Sequence, residues 1–254
     1  MFFDTHAHYD DERYDEDRDL LLKSMQDAGV SLILNAGSNV ENSRRGLQIA
    51  DKYSFVYASV GVHPHDAKEM DDSSITKLRE LSRHSKALAI GEIGLDYHYN
   101  LSPVETQKER FREQLELARE TDLPVIIHER EAFADVMEII PDYSDLRGVF
   151  HCFSGDITAA KTLLDMGWML SFTGVITFKK ATASLEVASF VPLERLMLET
   201  DAPYLSPEPL RGKRNDSRNL IHIAKKLADA RGLAVDELAE ATKNNGIRFF
   251  GIAD

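Results

Sequence analysis

Short runs of β-branched and apolar residues alternate along this chain with longer amphipathic segments. Runs of the first kind are typical of buried strands, and segments with an apolar residue every three or four positions are typical of helices. The pattern predicts eight strands separated by helices. The predicted helices lie near residues 14–28, 42–52, 74–83, 104–121, 132–140, 159–166, 220–231 and 235–249.

The regular alternation of strand and helix predicts the fold class. It requires parallel strands joined by right-handed crossovers. Eight such units in 254 residues favour a closed (β/α)8 barrel, the TIM barrel, over an open sheet. No repeat, low-complexity stretch or shift in composition marks a boundary, so residues 1–254 are predicted to form a single domain.

Several predicted strands end on side chains of the types that bind metal ions. His6 and His8 follow the first apolar run, and residues two apart in a strand share one face. An isolated H-x-H pair is more often a polar surface feature, but four histidines and two carboxylates at matching strand ends predict a metal site. In TIM barrels such a site lies at the C-terminal mouth of the strands. The later strands end at Glu92, His128, His151 and Glu199-Thr200-Asp201.

Composition and charge exclude several classes of protein. A single cysteine rules out a disulfide framework and favours a reducing compartment. No apolar run reaches the roughly 18 residues that cross a bilayer, and no signal peptide precedes the first strand, so we expect a soluble, cytoplasmic protein. The net charge of −13 argues against broad, tight binding of nucleic acid. Bound metal ions would still present a local positive potential to a phosphate, so a nucleic-acid enzyme is not excluded.

Several motifs together make the chain resemble the TatD family of metal-dependent deoxyribonucleases, within the larger class of barrel-fold metallohydrolases. The resemblance covers essentially the whole chain. It is carried by D-T-H-A-H at 4–8, G-V-H-P at 61–64, G-E-I-G-L-D-Y at 91–97, H-E-R at 128–130, H-C-F-S-G at 151–155, S-F-T-G at 171–174 and E-T-D-A-P-Y-L at 199–205.

The resemblance implies a site for two divalent metal ions and a set of ligands for it. Imidazoles and carboxylates without a thiolate suit Mg, Mn, Zn or Ni, so the sequence does not fix the metal. Two such ions can activate a shared water and clamp both oxygens of an in-line phosphodiester displacement, with Asp201 placed to accept the proton of the water as general base. The implied ligands are His6, His8 and Asp201 on one ion, His128 and His151 on the other, and Glu92 bridging both.

The roles of four residues around this site are predicted with alternatives open. His63 either donates a hydrogen bond to a phosphate oxygen or the leaving group, or is a loop histidine satisfied by the backbone. Lys213 and Arg214 either pair with phosphates flanking the scissile bond or form a solvated basic loop. Arg130 either contacts a phosphate or clamps a ligand carboxylate.

Two further expectations concern neighbouring residues. After R-G-K-R-N the family usually continues with Glu-Pro, whereas this chain has Asp216 and Ser217, either of which can cap the following helix. His65 is expected to be an ordinary loop histidine.

Three functions are compared. The favoured one is hydrolysis of DNA at strand ends or damaged sites, with DNA as a short-lived partner and with neither a membrane nor an obligate protein partner expected. The second is hydrolysis of amides or esters by an enzyme of the amidohydrolase type, including aminoacyl esters on tRNA. Such enzymes typically bridge their metals with a carboxylated lysine, where this chain has Glu92. A non-catalytic binding protein is disfavoured, since an acidic chain without a basic groove interleaved with aromatics has little with which to bind.

Overall fold

Eight parallel strands follow one another along the chain in a computed structural model that describes residues 1–253. Their order in the sheet is the order of the sequence, from β1 to β8, and this is the (β/α)8 class that the alternation predicts. The strands are β1 Phe2–Ala7, β2 Val30–Asn35, β3 Val56–Val60, β4 Ala87–Asp96, β5 Val125–Arg130, β6 Gly148–Phe150, β7 Met169–Phe172 and β8 Leu196–Leu198.

Helices lie between the strands and after the last one. Within residues 1–253, none is long and apolar enough to cross a membrane. The helices are α1 Arg18–Lys23, α2 Val40–Lys52, α3 Ser74–Leu81, α4 Val104–Thr121, α5 Phe133–Ile139, α6 Ile157–Asp165, α7 Thr182–Phe190, α8 Leu220–Arg231 and α9 Val235–Phe250.

Two helices differ from the prediction. The first is much shorter than residues 14–28, because Asp11 accepts the backbone N–H of Arg13 at 2.8 Å and caps a separate 3-10 turn over Glu12–Tyr14. Helix α7 was not predicted, since its small and β-branched residues place no continuous apolar stripe on one face. By contrast, α4 and α8 have the predicted bounds.

By its internal contacts the chain divides into two compact units. Unit 1 comprises residues 1–35 and 152–253, and unit 2 comprises residues 36–151. The single-domain organisation of residues 1–254 stays a prediction.

In unit 1, β1 pairs with β2 and β7 pairs with β8, all in parallel. Ala7, at the end of β1, also bridges in parallel to Ala202 beyond β8. Helix α9 packs closely on β1 at Gly246, where a Cβ atom would lie 2.6 Å from the ring of Phe3. The end of the first strand is thereby fixed beside the segment that follows the last one.

In unit 2, strands β3 to β6 are parallel, and helix α4 packs on β4. Two buried glutamines of α4, seven residues apart and therefore on one face, bind the segments at the carboxyl ends of β3 and β4. Gln114 accepts the N–H of Val62 at 2.7 Å and donates to its carbonyl at 3.0 Å. Gln107 does the same for Asp96, at 2.8 and 3.2 Å. These bonds fix the backbone next to His63 and at Asp96.

Candidate metal centre

The first cluster comprises His6, His8 and Asp201 of unit 1. The two Nε2 atoms of the histidines lie 3.2 Å apart. Asp201 Oδ1 lies 3.3 Å from Nε2 of His8 and 3.8 Å from Nε2 of His6. Metal–ligand bonds of about 2.0–2.2 Å place neighbouring donor atoms about 3–3.5 Å apart. Two of the three spacings lie in this range and the one between His6 and Asp201 is slightly longer, so the three donors are close enough together to share a single divalent cation.

A buried carboxylate of β1 holds the Asp201 loop in place. Asp4 accepts the backbone N–H of Thr200 at 2.9 Å and its hydroxyl at 2.5 Å. Burial raises the pKa of Asp4 to about 7, although the hydrogen bonds from Ser217 and Thr200 oppose the shift. Asp201 has φ of +54°, a left-handed conformation that non-glycine residues seldom adopt, and its N–H donates to the His6 carbonyl at 2.9 Å.

The carboxylates that follow β8 lie farther from the strand than expected. The strand ends at Leu198, whereas the sequence predicted that it reaches Asp201. Glu199 is buried and its Oε1 accepts the backbone N–H of Cys152, the residue after His151, at 2.6 Å. Sequence reasoning assigned Glu199 no role, and the structure gives it the positioning of this turn.

The second cluster comprises Glu92, His128 and His151 of unit 2. Glu92 Oε1 lies 2.8 Å from Nδ1 of His128 and 2.8 Å from Nε2 of His151. These two nitrogens are 3.3 Å apart. Three donor atoms thus converge in a largely buried place. Only His151 directly follows its strand as predicted, whereas Glu92 and His128 lie within β4 and β5, which continue to Asp96 and Arg130.

A second carboxylate, Asp96, orients His128. Asp96 Oδ2 lies 2.9 Å from His128 Nε2, and Asp96 Oδ1 accepts the backbone N–H of Tyr99 at 2.8 Å. Burial would raise the pKa of Asp96, but the hydrogen bonds from His128 and Tyr99 outweigh it and hold the pKa well below its usual value. Burial would lower the pKa of His128, but the hydrogen bonds with Asp96 and Glu92 outweigh it and raise the pKa. The two carboxylates thus face the two ring nitrogens of His128 and fix the orientation of the ring.

His63 lies against the second cluster as a donor. Its Nδ1 accepts the backbone N–H of His65 at 3.1 Å, so Nε2 carries the proton of the neutral ring. That nitrogen lies 3.4 Å from Glu92 Oε1. Burial lowers the pKa of His63 to about 4, which keeps the ring neutral. The tautomer suits a hydrogen-bond donor rather than a metal ligand or a proton acceptor.

His65 also belongs to this neighbourhood, contrary to the expectation of an ordinary loop histidine. Its Nε2 lies 3.1 Å from Asp96 Oδ2, and its ring lies 4.3 Å from that of His63 between centroids. The H-P-H triplet at 63–65 repeats the spacing of His6 and His8, and this was the signal available in the sequence.

The predicted substrate contacts have different surroundings. Lys213 is exposed. Arg214 makes a two-pronged ion pair with Asp17, at 2.8 and 2.5 Å. Arg130 lies over the ring of Tyr99, with 4.9 Å from its Cζ to the ring centroid.

The segment after β8 contains Asp216 and Ser217, which the sequence predicts as candidate capping residues. Asp216 accepts the N–H of Arg218 at 3.1 Å and caps the 3-10 turn that leads into α8. Asp216 therefore caps this turn and not helix α8 itself, whose N-cap is Asn219 without a side-chain capping bond.

A (β/α)8 fold with histidine and carboxylate clusters at the strand ends defines a barrel-type metal-dependent hydrolase. The pattern of the family described as TatD related DNase matches residues 3–251. YabD of Bacillus subtilis, an uncharacterized metal-dependent hydrolase, is 40% identical over 254 residues, which cover 99% of this chain and 100% of that protein. The 3′-5′ ssDNA/RNA exonuclease TatD of Cronobacter sakazakii is 36% identical, over 98% of this chain and 97% of that protein.

The crystal structure of YjjV, a TatD homologue from Escherichia coli, shares the fold with a TM-score of 0.93. It is 32% identical, and the alignment covers 99% of this chain and 98% of that one. The chain belongs to the TatD family, and it is a metal-dependent hydrolase.

Proposed function

We propose that this protein is a two-metal phosphodiesterase that cleaves DNA, acting on strand ends or damaged sites. One observation carries the proposal: Glu92 Oε1 lies 2.8 Å from two imidazole nitrogens in the second cluster. Together with the 3.3 Å between His128 Nδ1 and His151 Nε2, these distances match the spacing of three donor atoms around one divalent cation. The nuclease name of the Cronobacter sakazakii relative supports nucleic acid as the substrate.

The proposal assigns each of the two clusters to one divalent cation. His6, His8 and Asp201 hold one divalent cation, and His128, His151 and Glu92 hold another. Divalent cations bound there would activate a water molecule and neutralise the charge that develops on the phosphodiester. The expectation that Glu92 also binds the first cation stays a prediction.

Proton transfer and substrate orientation belong to residues of the chain. Asp201 has a carboxylate that can accept the proton of the attacking water. The Nε2–H of His63 donates to a non-bridging oxygen or to the leaving oxygen of the phosphodiester. Arg130 and Lys213 are exposed cations that can pair with flanking phosphates. Arg214 can do so only in competition with Asp17.

The test is an assay of metal-stripped protein on single- and double-stranded DNA labelled at either end. Mg, Mn, Zn and Ni are added back separately, and Asp201→Asn serves as the control for a contaminating nuclease. We expect metal-dependent cleavage by the wild type alone, and the labelled end that is released first gives the direction.

A parallel set of amide, lactone and aminoacyl ester substrates tests the alternative chemistry. Hydrolysis of those substrates with no cleavage of DNA under any of the four metals would refute the proposal. It would assign the metal clusters to an amide or ester hydrolase instead.

A further inference from the structure

An arginine and a tyrosine that are far apart in sequence form a stacked pair in unit 1. The guanidinium carbon of Arg13 lies 4.2 Å from the ring centroid of Tyr204. The guanidinium of Arg13 donates to both carboxylate oxygens of Asp11, at 2.9 and 2.8 Å. The Tyr204 hydroxyl lies 3.3 Å from Oδ2 of the same carboxylate. The guanidinium plane is therefore held in a fixed orientation over the aromatic ring.

This pair, the Arg13–Tyr204 platform, is attached to the first metal cluster. The ring of Tyr204 lies 6.0 Å from that of His8, measured between centroids. The backbone N–H of Tyr204 donates to the Asp201 carbonyl at 2.8 Å. Any movement of the platform is thus tied to the loop that carries Asp201.

The platform stays open to solvent. Tyr204 is 45% exposed, and the side chain of Arg13 is 44% exposed. A large aromatic ring that is rigidly supported and half-exposed beside metal ligands is not explained by packing of the core. A flat π surface backed by a guanidinium is a surface on which a nucleobase stacks, whatever its identity.

We propose that the Arg13–Tyr204 platform stacks the unpaired base of a nucleotide next to the scissile phosphate. This inference rests on the proposed function and adds the side chains that receive the base next to the scissile phosphate. A base inside a duplex is already paired and stacked on its neighbours, so the platform receives only bases of single-stranded or frayed nucleic acid. It also places the adjacent phosphate toward His8 and Asp201.

The test removes the ring of Tyr204 and, separately, one base of the substrate. Values of kcat/KM are measured for a short single-stranded oligonucleotide and for the same strand lacking the base of each nucleotide in turn. Within each enzyme the ratio of intact to abasic strand is taken, so that a defect in folding or metal content cancels. Tyr204→Leu removes the platform, and Tyr204→Phe keeps its ring.

For the wild type we expect a ratio of about fivefold to a hundredfold at one position or two adjacent ones, the size of a base–aromatic stack. In Tyr204→Leu the ratio should fall toward one, and in Tyr204→Phe it should stay at the wild-type value. Tyr57→Leu is the matched control, because Tyr57 also carries a stacked cation, with Lys86 Nζ 4.4 Å from its ring centroid.

Two results would overturn the inference, and only one of them would also overturn the proposed function. An active wild type with the same ratio in Tyr204→Leu overturns the platform alone. A wild type that cleaves none of the strands with any metal overturns the proposed function together with the platform.

Discussion

Asp96→Asn should weaken the binding of one metal ion without unfolding the protein. The Asp96 carboxylate accepts from His128 Nε2 at 2.9 Å and from the Tyr99 N–H at 2.8 Å, with His65 Nε2 also 3.1 Å from its Oδ2. An amide keeps one oxygen and puts an NH2 group where the other was. It therefore sets a donor against a donor at one of the two contacts.

The size of the effect follows from the bond that is lost. A hydrogen bond to a charged group contributes about 1.5–3 kcal/mol, and about 1.4 kcal/mol corresponds to a factor of ten. Mutations of groups that orient metal-binding histidines typically cost about 10- to 100-fold in metal affinity or activity, in agreement with that value. We therefore expect the affinity of the second cluster to fall by about this factor.

The assay is competition for Zn or Mn between the metal-free protein and a chromogenic chelator, with the hydrolytic rate followed as metal is raised. One of two binding constants should change, and excess metal should restore much of the rate. Asp135→Asn is the matched control, because Asp135 accepts the Tyr97 hydroxyl at 2.6 Å in the same unit but touches none of the proposed ligands. Wild-type affinity at both sites in Asp96→Asn would show that this carboxylate does not orient His128.

Three further results are expected. Asp201→Asn should lower the rate of hydrolysis at saturating DNA by about a hundredfold or more, the effect expected for the loss of a general base. DNA binding measured by anisotropy should persist, and an unchanged rate and pH profile would contradict the prediction. Glu92→Ala should lose bound metal and activity with the fold retained, as measured by elemental analysis and circular dichroism; two metals per chain with normal turnover would disprove it. Lys213→Ala should raise KM for long DNA more than it lowers kcat, and should reduce the slope of affinity against salt by about one unit or less, whereas an unchanged KM and slope would leave this loop a solvated rim.

Local patterns along the chain were sufficient to predict the fold class, and they placed the predicted ligands in or shortly after strands. Helix α4 follows from its 3.6-residue period and the strands from their apolar runs, since both patterns depend on neighbours within a few positions. His6 and His8 share a face because successive strand residues alternate, and this too is a local property. Helix α7 was missed because its burial comes from packing that its own sequence pattern does not display.

Tertiary structure alone decided which side chains act on the ligands. Asp96 meets His128 across 32 positions, and Arg13 meets Tyr204 across 191. Neither pair has a local signature, because an isolated aspartate or tyrosine has the same sequence pattern whether it faces solvent or a partner. The tautomer of His63 likewise depends on the His65 N–H, and so on the backbone of a turn. The sequence determined where the chain places its chemistry, whereas contacts between distant segments determined the protonation, orientation and exposure of each group, since these depend on three-dimensional neighbours.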